Sequence, residues 1–350
     1  MSEYSAKPRV AVVQAAPVWL DLDGTIDKTV ALIEEAGRGG ANLIAFPECW
    51  VPGYPEFLYT ETNTIWPGMY LKRYYENSLE LDSSQMRRVQ RAAQESGVAV
   101  VLGLSERSGG SLYISQAVIG ADGTLQGLRR KFRPTHAERT LFGEGDGSDF
   151  RTFDLGIGRV GALSCWEHLQ PLIKYTMNAL GEQIHVASWP AVTKPYHYPF
   201  SGAAFETINN MYAMENQCFV LCSTLIFDEA ARDNIADTDA KRDIVFPGGG
   251  VSRIYGPSGI ELATPLAPDQ EGLLYADLDL SDIIAAKNTI DQVGHYSRPG
   301  IFSLNVNQAS PRPVTFTNTD QLSHGRQFPW PLEDEETLLN LDARFAEGQR

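Results

Sequence analysis

Residues 160–168 read Val160-Gly161-Ala162-Leu163-Ser164-Cys165-Trp166-Glu167-His168. Five residues suited to a buried strand end in a cysteine, and a stretch of helical composition, 171–180, follows a short turn. Apolar runs of strand length recur on both sides of this unit, at 9–15, 42–46, 98–104, 112–119, 124–130, 184–188, 219–223, 251–255 and 272–277. Amphipathic stretches at 25–37, 83–96, 200–215 and 281–287 alternate with them. Gly37 and Gly97 close the first two as helix stops. Ala121-Asp122-Gly123 reads as a hairpin turn between two paired strands. Strands and helices alternating in this way define an α/β chain, with helices layered on sheet. No Ser/Gly-rich linker divides it, so one domain is expected over residues 1–304. Residues 305–350 lack strong periodicity and are rich in Pro, Thr and Asp, which suits an extension or contact arm. Residues 228–242 are highly charged and read as a surface insertion, and no internal repeat is found.

The chain has 350 residues, 43% of them hydrophobic, enough for one large core or two modest ones. Its formal net charge is −15 and no basic stripe appears, which argues against nucleic acid and against an anionic membrane surface. No basic leader precedes a long apolar run, and no stretch approaches the roughly 18 apolar residues of a membrane span. Cys49, Cys165, Cys218 and Cys222 are few, unevenly spaced and set in apolar segments. Reduced thiols in the cytoplasm fit that pattern better than a disulfide framework. Cys218 and Cys222 lie in a strand-like run without histidine partners, a poor zinc site.

Three strand ends carry candidate chemistry. At Ala45-Phe46-Pro47-Glu48 a proline halts the ladder and leaves a carboxylate at the strand tip. At Arg130-Lys131 a second strand ends in a cation, although Arg129, Arg130, Lys131 and Arg133 together also read as an ordinary solvated basic edge. At Cys165 a strand delivers a thiol into a turn whose N–H groups and following helix would favour a thiolate and hold a developing negative charge. A buried structural cysteine is the alternative, and this stretch alone leaves both open. His168 lies only three residues from Cys165, too close for a productive nucleophile–base pair, so it is expected to line the pocket instead. The glycine-rich run 143–147 carries two acids and no Lys-Ser/Thr pair, so it reads as a loop and not as a phosphate cradle. Pro247-Gly248-Gly249-Gly250 reads as backbone geometry.

Taken together, these ends supply a base, a fixed cation and a nucleophile. On Phe46-Pro47-Glu48, Arg130-Lys131-Phe132-Arg133-Pro134-Thr135 and Cys165-Trp166-Glu167-His168, the chain resembles the nitrilase branch of the carbon–nitrogen hydrolase superfamily. Val51-Pro52-Gly53-Tyr54-Pro55, the run 136–148, Ala187-Ser188-Trp189-Pro190 and Gly294-His295-Tyr296-Ser297-Arg298-Pro299 extend the resemblance from about Val10 to Phe302. It implies a four-layer α-β-β-α sandwich that oligomerises through sandwich stacking, with dimers that extend into spirals through insertions and the C-terminal tail. It implies a Glu48–Lys131–Cys165 triad and a fourth polar residue, Glu138, that positions substrate or relays protons. Tyr54, Phe142, Trp166, His168 and Trp189 would wall the pocket; Phe142 stands where many relatives carry Trp.

The expected reaction is hydrolysis of an organic nitrile, arylaliphatic or aromatic, to the acid and ammonia through a thioimidate and a thioester on Cys165. No metal or organic cofactor is expected. Hydration of cyanide and hydrolysis of amides are rival activities for the same triad. A catalytically silent interaction module is the rival from another class, disfavoured because all three residues are intact.

Overall fold

A computed structural model of the chain describes residues 4–192, 200–243 and 245–310. Every residue of β1 (Arg9–Ala15) except Arg9 is buried, as expected of a strand covered on both faces. The other strands are β2 (Leu43–Ala45), β3 (Ala99–Ser108), β4 (Ser111–Ile119), β5 (Leu125–Arg130), β6 (Phe142–Gly143), β7 (Phe153–Asp154), β8 (Arg159–Ser164), β9 (Ile184–Trp189), β10 (Phe219–Leu225), β11 (Arg253–Tyr255) and β12 (Gly272–Asp277). The helices are α1 (Leu22–Arg38), α2 (Phe57–Thr60), α3 (Lys72–Asn77), α4 (Ser84–Ser96), α5 (Pro171–Ala179), α6 (Gly202–Asn216), α7 (Glu229–Ile235), α8 (Asp239–Arg242) and α9 (Asp282–Thr289).

Among the described residues these strands form one sheet in the order β5-β4-β3-β2-β1-β10-β9-β8-β7, with β12 on β1, β11 on β10 and β6 on β4. β1 pairs with β12 from Arg9 to Gln14 but with β10 only at Gln14 and Ala15. Two well-paired halves therefore meet at one end of β1. Strands β1, β2, β3, β8, β9 and β10 run parallel. β5 shares their direction, because it is antiparallel to β4, which is antiparallel to β3. The carboxyl ends of seven strands thus open toward one region, where α/β sheets place their chemistry.

The period-2 alternation of each strand feeds different cores. Ala11 and Val13 pack with Ile26 and Ile33 of α1 and Met86 and Val89 of α4. Val10 and Val12 face the other way, into a core with Val160 and Ala162 of β8, Val186 of β9 and Leu221 of β10. A third core joins Leu163, Ala187 and Val220 to Ile173 and Met177 of α5 and Phe205 and Tyr212 of α6. Each large apolar side chain so buried contributes about 1.5–3 kcal/mol relative to exposure. Helix ends follow their caps. Asp21 accepts from the Gly24 N–H, Ser83 from the Met86 N–H, and Gly97 stops α4 in the left-handed region at φ 64°.

Several expectations need correction. α1 begins earlier than residue 25, because Asp21 is its cap. Residues 57–77 hold α2, a π-helical turn at Pro67–Leu71 and α3, none of which was expected. The charged stretch 228–242 is not simply a surface insertion: it folds into α7 and α8 and buries Ala231 and Ile235. Residues 305–310 turn back onto the domain. Gln308 Nε2 donates to the Phe150 carbonyl at 3.2 Å and Ser310 Oγ to Asp146 at 2.8 Å. The rest of the expected contact tail, 311–350, lies outside the described residues. No helix among the described residues is long and apolar enough to cross a membrane.

Gly103 of β3 is the closest approach that matters for the strand tips. A Cβ there would lie 1.8 Å from the Pro47 carbonyl oxygen and 3.2 Å from Glu48 Cα. Gly103→Ala should therefore lower stability by about 1–3 kcal/mol, a drop of several degrees in Tm. Gly110→Ala, where nothing lies within 4 Å, should leave Tm unchanged in the same melting experiment.

Candidate active site

β2 stops at Ala45, and the Phe46 N–H makes one more bond, to the Val101 carbonyl at 2.9 Å. Pro47 has no N–H to continue the ladder. The Glu48 N–H then turns to the Trp189 carbonyl at 3.3 Å, joining the tips of β2 and β9. Lys131 follows β5 and donates its N–H to the Ile114 carbonyl at 2.7 Å. Cys165 follows β8 with φ 51°, in the left-handed region. For a residue with a Cβ that conformation costs about 1–3 kcal/mol and persists only where its surroundings impose it.

These ends converge. Lys131 Nζ donates to Glu48 Oε1 at 2.9 Å and to Glu138 Oε2 at 2.7 Å, and all three side chains are buried. Glu138 Oε2 also accepts the Thr135 N–H at 2.6 Å, so this carboxylate caps its own short 3-10 turn while holding the lysine. Its other oxygen accepts from the Tyr54 hydroxyl at 2.6 Å, and the Tyr59 hydroxyl stands 3.3 Å from that of Tyr54. A carboxylate oxygen of Glu48, one of Glu138 and the Cys165 sulfur lie within 4.8 Å of one another. Glu48 Oε2 is buried and has no hydrogen-bond partner.

Two carboxylates and a thiol could in principle ligate a cation. Here the Lys131 ammonium already bonds both carboxylates, so a divalent ion would have to displace it or sit against it. The donor set is better suited to a built-in cation than to a metal.

Burial governs ionisation. One ammonium faces two carboxylates out of contact with water, so the group would carry a net negative charge if both acids were ionised. Burial, opposed by Lys131 and reinforced by Glu138, pushes Glu48 up to about 8. A proton on Glu48 leaves the group neutral. Burial alone would weaken the hold of Lys131 on its proton, but Glu138 and Glu48 outweigh it and raise the ammonium well above an ordinary lysine. The Cys165 thiol is pushed well above its usual range by burial and then by Glu48. Lys131 and the Trp166 backbone N–H, which bonds the sulfur, pull the other way and lose. This corrects the expectation that the turn would favour a resting thiolate: desolvation exceeds what a few backbone dipoles return. Removal of the thiol proton therefore calls for a base, and of the two carboxylates grouped with the sulfur Glu48 is the one with an unpartnered oxygen.

The four polar residues expected from the sequence, together with Tyr54, are thus brought into one cluster. Trp189, at the end of β9, is fully buried and donates its indole N–H to Asn209 at 3.1 Å. Trp166 meets it edge-on at 6.4 Å and Phe200 at 5.4 Å. His168 lies beneath Cys165, stacked on Trp189 at 5.1 Å, with Nδ1 2.6 Å from the Cys165 carbonyl. Phe142 packs edge-on against Tyr74 at 6.1 Å and lines a surface groove with Leu71 and Tyr75. A cavity of about 690 Å³ lies on the outer side of Trp166, lined by Phe132, Thr135, Phe150 and Leu172, and none of the four polar residues reaches it.

Sequence reasoning did not single out Arg129, Glu167, Glu56 or Tyr59. Arg129 is buried and ion-paired with Glu167, which also accepts the Phe132 N–H at 2.7 Å and the Ser164 N–H at 2.8 Å. Glu167 therefore ties the residue after Lys131 to the residue before Cys165. Glu56 is buried with one unpartnered oxygen and is pushed up to about 8 by burial and then by Glu138. The only sequence signal for Glu56 and Tyr59 is their place just after Tyr54-Pro55.

Fold and site define an α/β protein with carboxylates, a cation and a thiol at converging strand ends, groups suited to a hydrolase that works by covalent catalysis. The carbon–nitrogen hydrolase profile matches residues 9–288, and the chain belongs to that family. It is 49% identical to an aliphatic nitrilase of Rhodococcus rhodochrous over 93% of this chain and 89% of that one. It is 51% identical to a nitrilase of Pseudomonas syringae pv. syringae (strain B728a), covering 85% and 89%. To an arylacetonitrilase of Aspergillus kawachii it is 46% identical, covering 89% and 95%. Among solved structures, a carbon–nitrogen hydrolase from Helicobacter pylori G27 shares the fold with a TM-score of 0.66 at 24% identity, over 82% of this chain and 94% of that one.

The raised thiol makes one expectation direct. The rate of Cys165 modification by methyl methanethiosulfonate should climb continuously with pH through 9. A plateau reached near pH 6 would mean a resting thiolate. Mass mapping of the labelled peptide reads the site.

Proposed function

We propose that the protein is a nitrilase that converts an organic nitrile to its carboxylic acid and ammonia, with Cys165 as nucleophile, Glu48 as base, Lys131 as fixed cation and Glu138 as the group that positions it. The observation that carries this is the Lys131 ammonium held between two buried carboxylates beside the Cys165 sulfur. Glu48 in its ionised form takes the thiol proton, and the sulfur attacks the nitrile carbon. The nitrogen gains charge as the triple bond opens. Lys131 and the Trp166 N–H stabilise it, and a proton passed from the cluster gives a neutral thioimidate. Water then adds to the same carbon, Glu48 taking its proton and passing it to the nitrogen; as the carbonyl forms the hydroxyl proton follows by the same route, and the carbon–nitrogen bond breaks with ammonia leaving and Glu48 ionised again. A thioester remains on Cys165. A second water, activated in the same way, releases the acid and restores the thiol.

The substrate in this reading carries an aryl group, directly or on an aliphatic arm. Tyr54, Tyr59, Trp166 and Trp189 around the cluster support the aryl group, as does similarity to an arylacetonitrilase, while similarity to an aliphatic nitrilase favours the aliphatic arm. Trp166 and Trp189 wall the pocket, with Phe142 shaping it from behind Tyr74 and His168 forming its floor. Three cores between helices and two half-sheets support a four-layer α-β-β-α arrangement over residues 1–304, with 305–350 as an extension. Copies associate through exposed apolar residues of α5 and α6 such as Leu172 and Met214. Four free buried cysteines suit a reducing cytoplasm.

Ammonia release from phenylacetonitrile, benzonitrile, an aliphatic dinitrile, cyanide and phenylacetamide tests the proposal. Turnover of an aryl nitrile is expected, with losses of at least about 10³-fold in Cys165→Ala and Lys131→Met. Release only from cyanide or only from the amide assigns a sister activity. Undiminished turnover in Cys165→Ala overturns the mechanism.

A further inference from the structure

Behind the nucleophile lies a second buried polar group that the mechanism above does not use. His168 Nδ1 is 2.6 Å from the Cys165 carbonyl, and His168 Nε2 is 2.9 Å from His185 Nε2. His185 Nδ1 is 2.8 Å from Glu182 Oε2. Glu182 Oε1 accepts from the Tyr212 hydroxyl and from Asn216 Nδ2, the latter at 3.0 Å. His168, His185, Glu182 and Tyr212 are all buried. Gly161 of β8 lets the carboxylate approach, since a Cβ there would lie 2.2 Å from Glu182 Oε2.

The partners dictate where the hydrogens sit. A carbonyl only accepts, so His168 Nδ1 carries a hydrogen. The contact between the two Nε2 atoms needs one hydrogen, and so does the contact between His185 Nδ1 and Glu182. Two neutral imidazoles supply two of these three, and one further proton completes the chain. With the Glu182 carboxylate included, the chain then has no net charge, which is what a buried site tolerates. Burial and the facing His185 hold the His168 imidazole neutral.

We propose that Glu182, His185 and His168 are positioning residues: a proton-ordered chain that grips the Cys165 carbonyl and holds the left-handed turn in which the Trp166 N–H meets the sulfur. The grip falls on the residue whose φ of 51° needs an outside constraint. The inference rests on the reading of Cys165 as nucleophile, but one arm of its test does not depend on nitrile turnover.

The test compares Glu182→Gln, Glu182→Leu and His168→Phe with the unaltered protein, each confirmed folded by its melting curve and normalised to titratable Cys165. A glutamine can donate to His185 Nδ1 while accepting from Tyr212 and Asn216, so Glu182→Gln keeps the chain complete with two neutral imidazoles. Its kcat should stay within about threefold. His168→Phe leaves the Cys165 carbonyl ungripped, and Glu182→Leu leaves His185 Nδ1 without the partner that anchors the chain; both should lower kcat by about 10- to 100-fold with KM within about twofold. The second arm is Cys165 labelling by methyl methanethiosulfonate at pH 9. Labelling should slow in the same two variants and stay unchanged in Glu182→Gln. A Glu182→Gln variant as impaired as Glu182→Leu, or native kcat and labelling in His168→Phe, would overturn the proposal. Should a variant be unstable, His185→Gln, which keeps a donor toward His168, takes its place with the Glu182→Gln outcome expected.

Discussion

Lys131 is a buried cation with two buried carboxylates for partners. Isolated charges of this kind are strongly unfavourable in a protein interior, and even a pair recovers its desolvation cost only when every lone pair is met. Here the imbalance of two acids to one base is relieved by a proton on Glu48, pushed up to about 8. Glu138 differs in its contacts, because both its oxygens are occupied by Lys131, Thr135 and Tyr54. In the proposed mechanism that asymmetry, a vacant oxygen on Glu48 and none on Glu138, separates the base from the positioning group among chemically identical side chains.

The sheet makes the cluster possible. Glu48, Lys131 and Cys165 each follow a strand running in the common direction, and short backbone links hold the tips in register: Glu48 to Trp189, Lys131 to Ile114. Glu167 adds a side-chain strap from the residue before Cys165 to the residue after Lys131, with Arg129 neutralising it. Because Gly103 of β3 admits no side chain beneath Pro47, the tip of β2 can lie down against its neighbour. The strain at Cys165 is thus set between a strap above and a histidine chain below.

Much of this was legible in the sequence. The expected ends of β1 and β12 are the observed ones, since short apolar runs, 10–13 and 273–276, lie inside polar or glycine ends. Pro47 marked the halt before Glu48, and Gly97 the end of α4. The run from Phe57 to Asn77 was opaque. Its aromatics Phe57, Trp66, Tyr70 and Tyr74 pack on one another, Phe57 and Tyr70 at 4.8 Å, but Pro67 breaks the helical period that would have revealed them. Arg129 and Lys131 looked like a solvated edge, because a string of cations does not record which ones the next layer covers. The state of the Cys165 thiol was misjudged for a related reason. Local turn geometry is written in neighbouring residues, whereas desolvation is the sum over everything that folds on top.

The central claim is that the Glu48–Lys131–Glu138 cluster stores one proton on Glu48 at neutral pH and must give it up before Cys165 can be deprotonated. The dependence of kcat/KM on pH, measured with the nitrile turned over fastest, tests it most directly, since that ratio reports the free enzyme. A base held at about 8 predicts an acid limb with an apparent midpoint near that value, falling about tenfold per pH unit below it. A kcat/KM that stays flat down to about pH 5 would mean that Glu48 is already ionised at rest, as an ordinary carboxylate is, and would contradict the account.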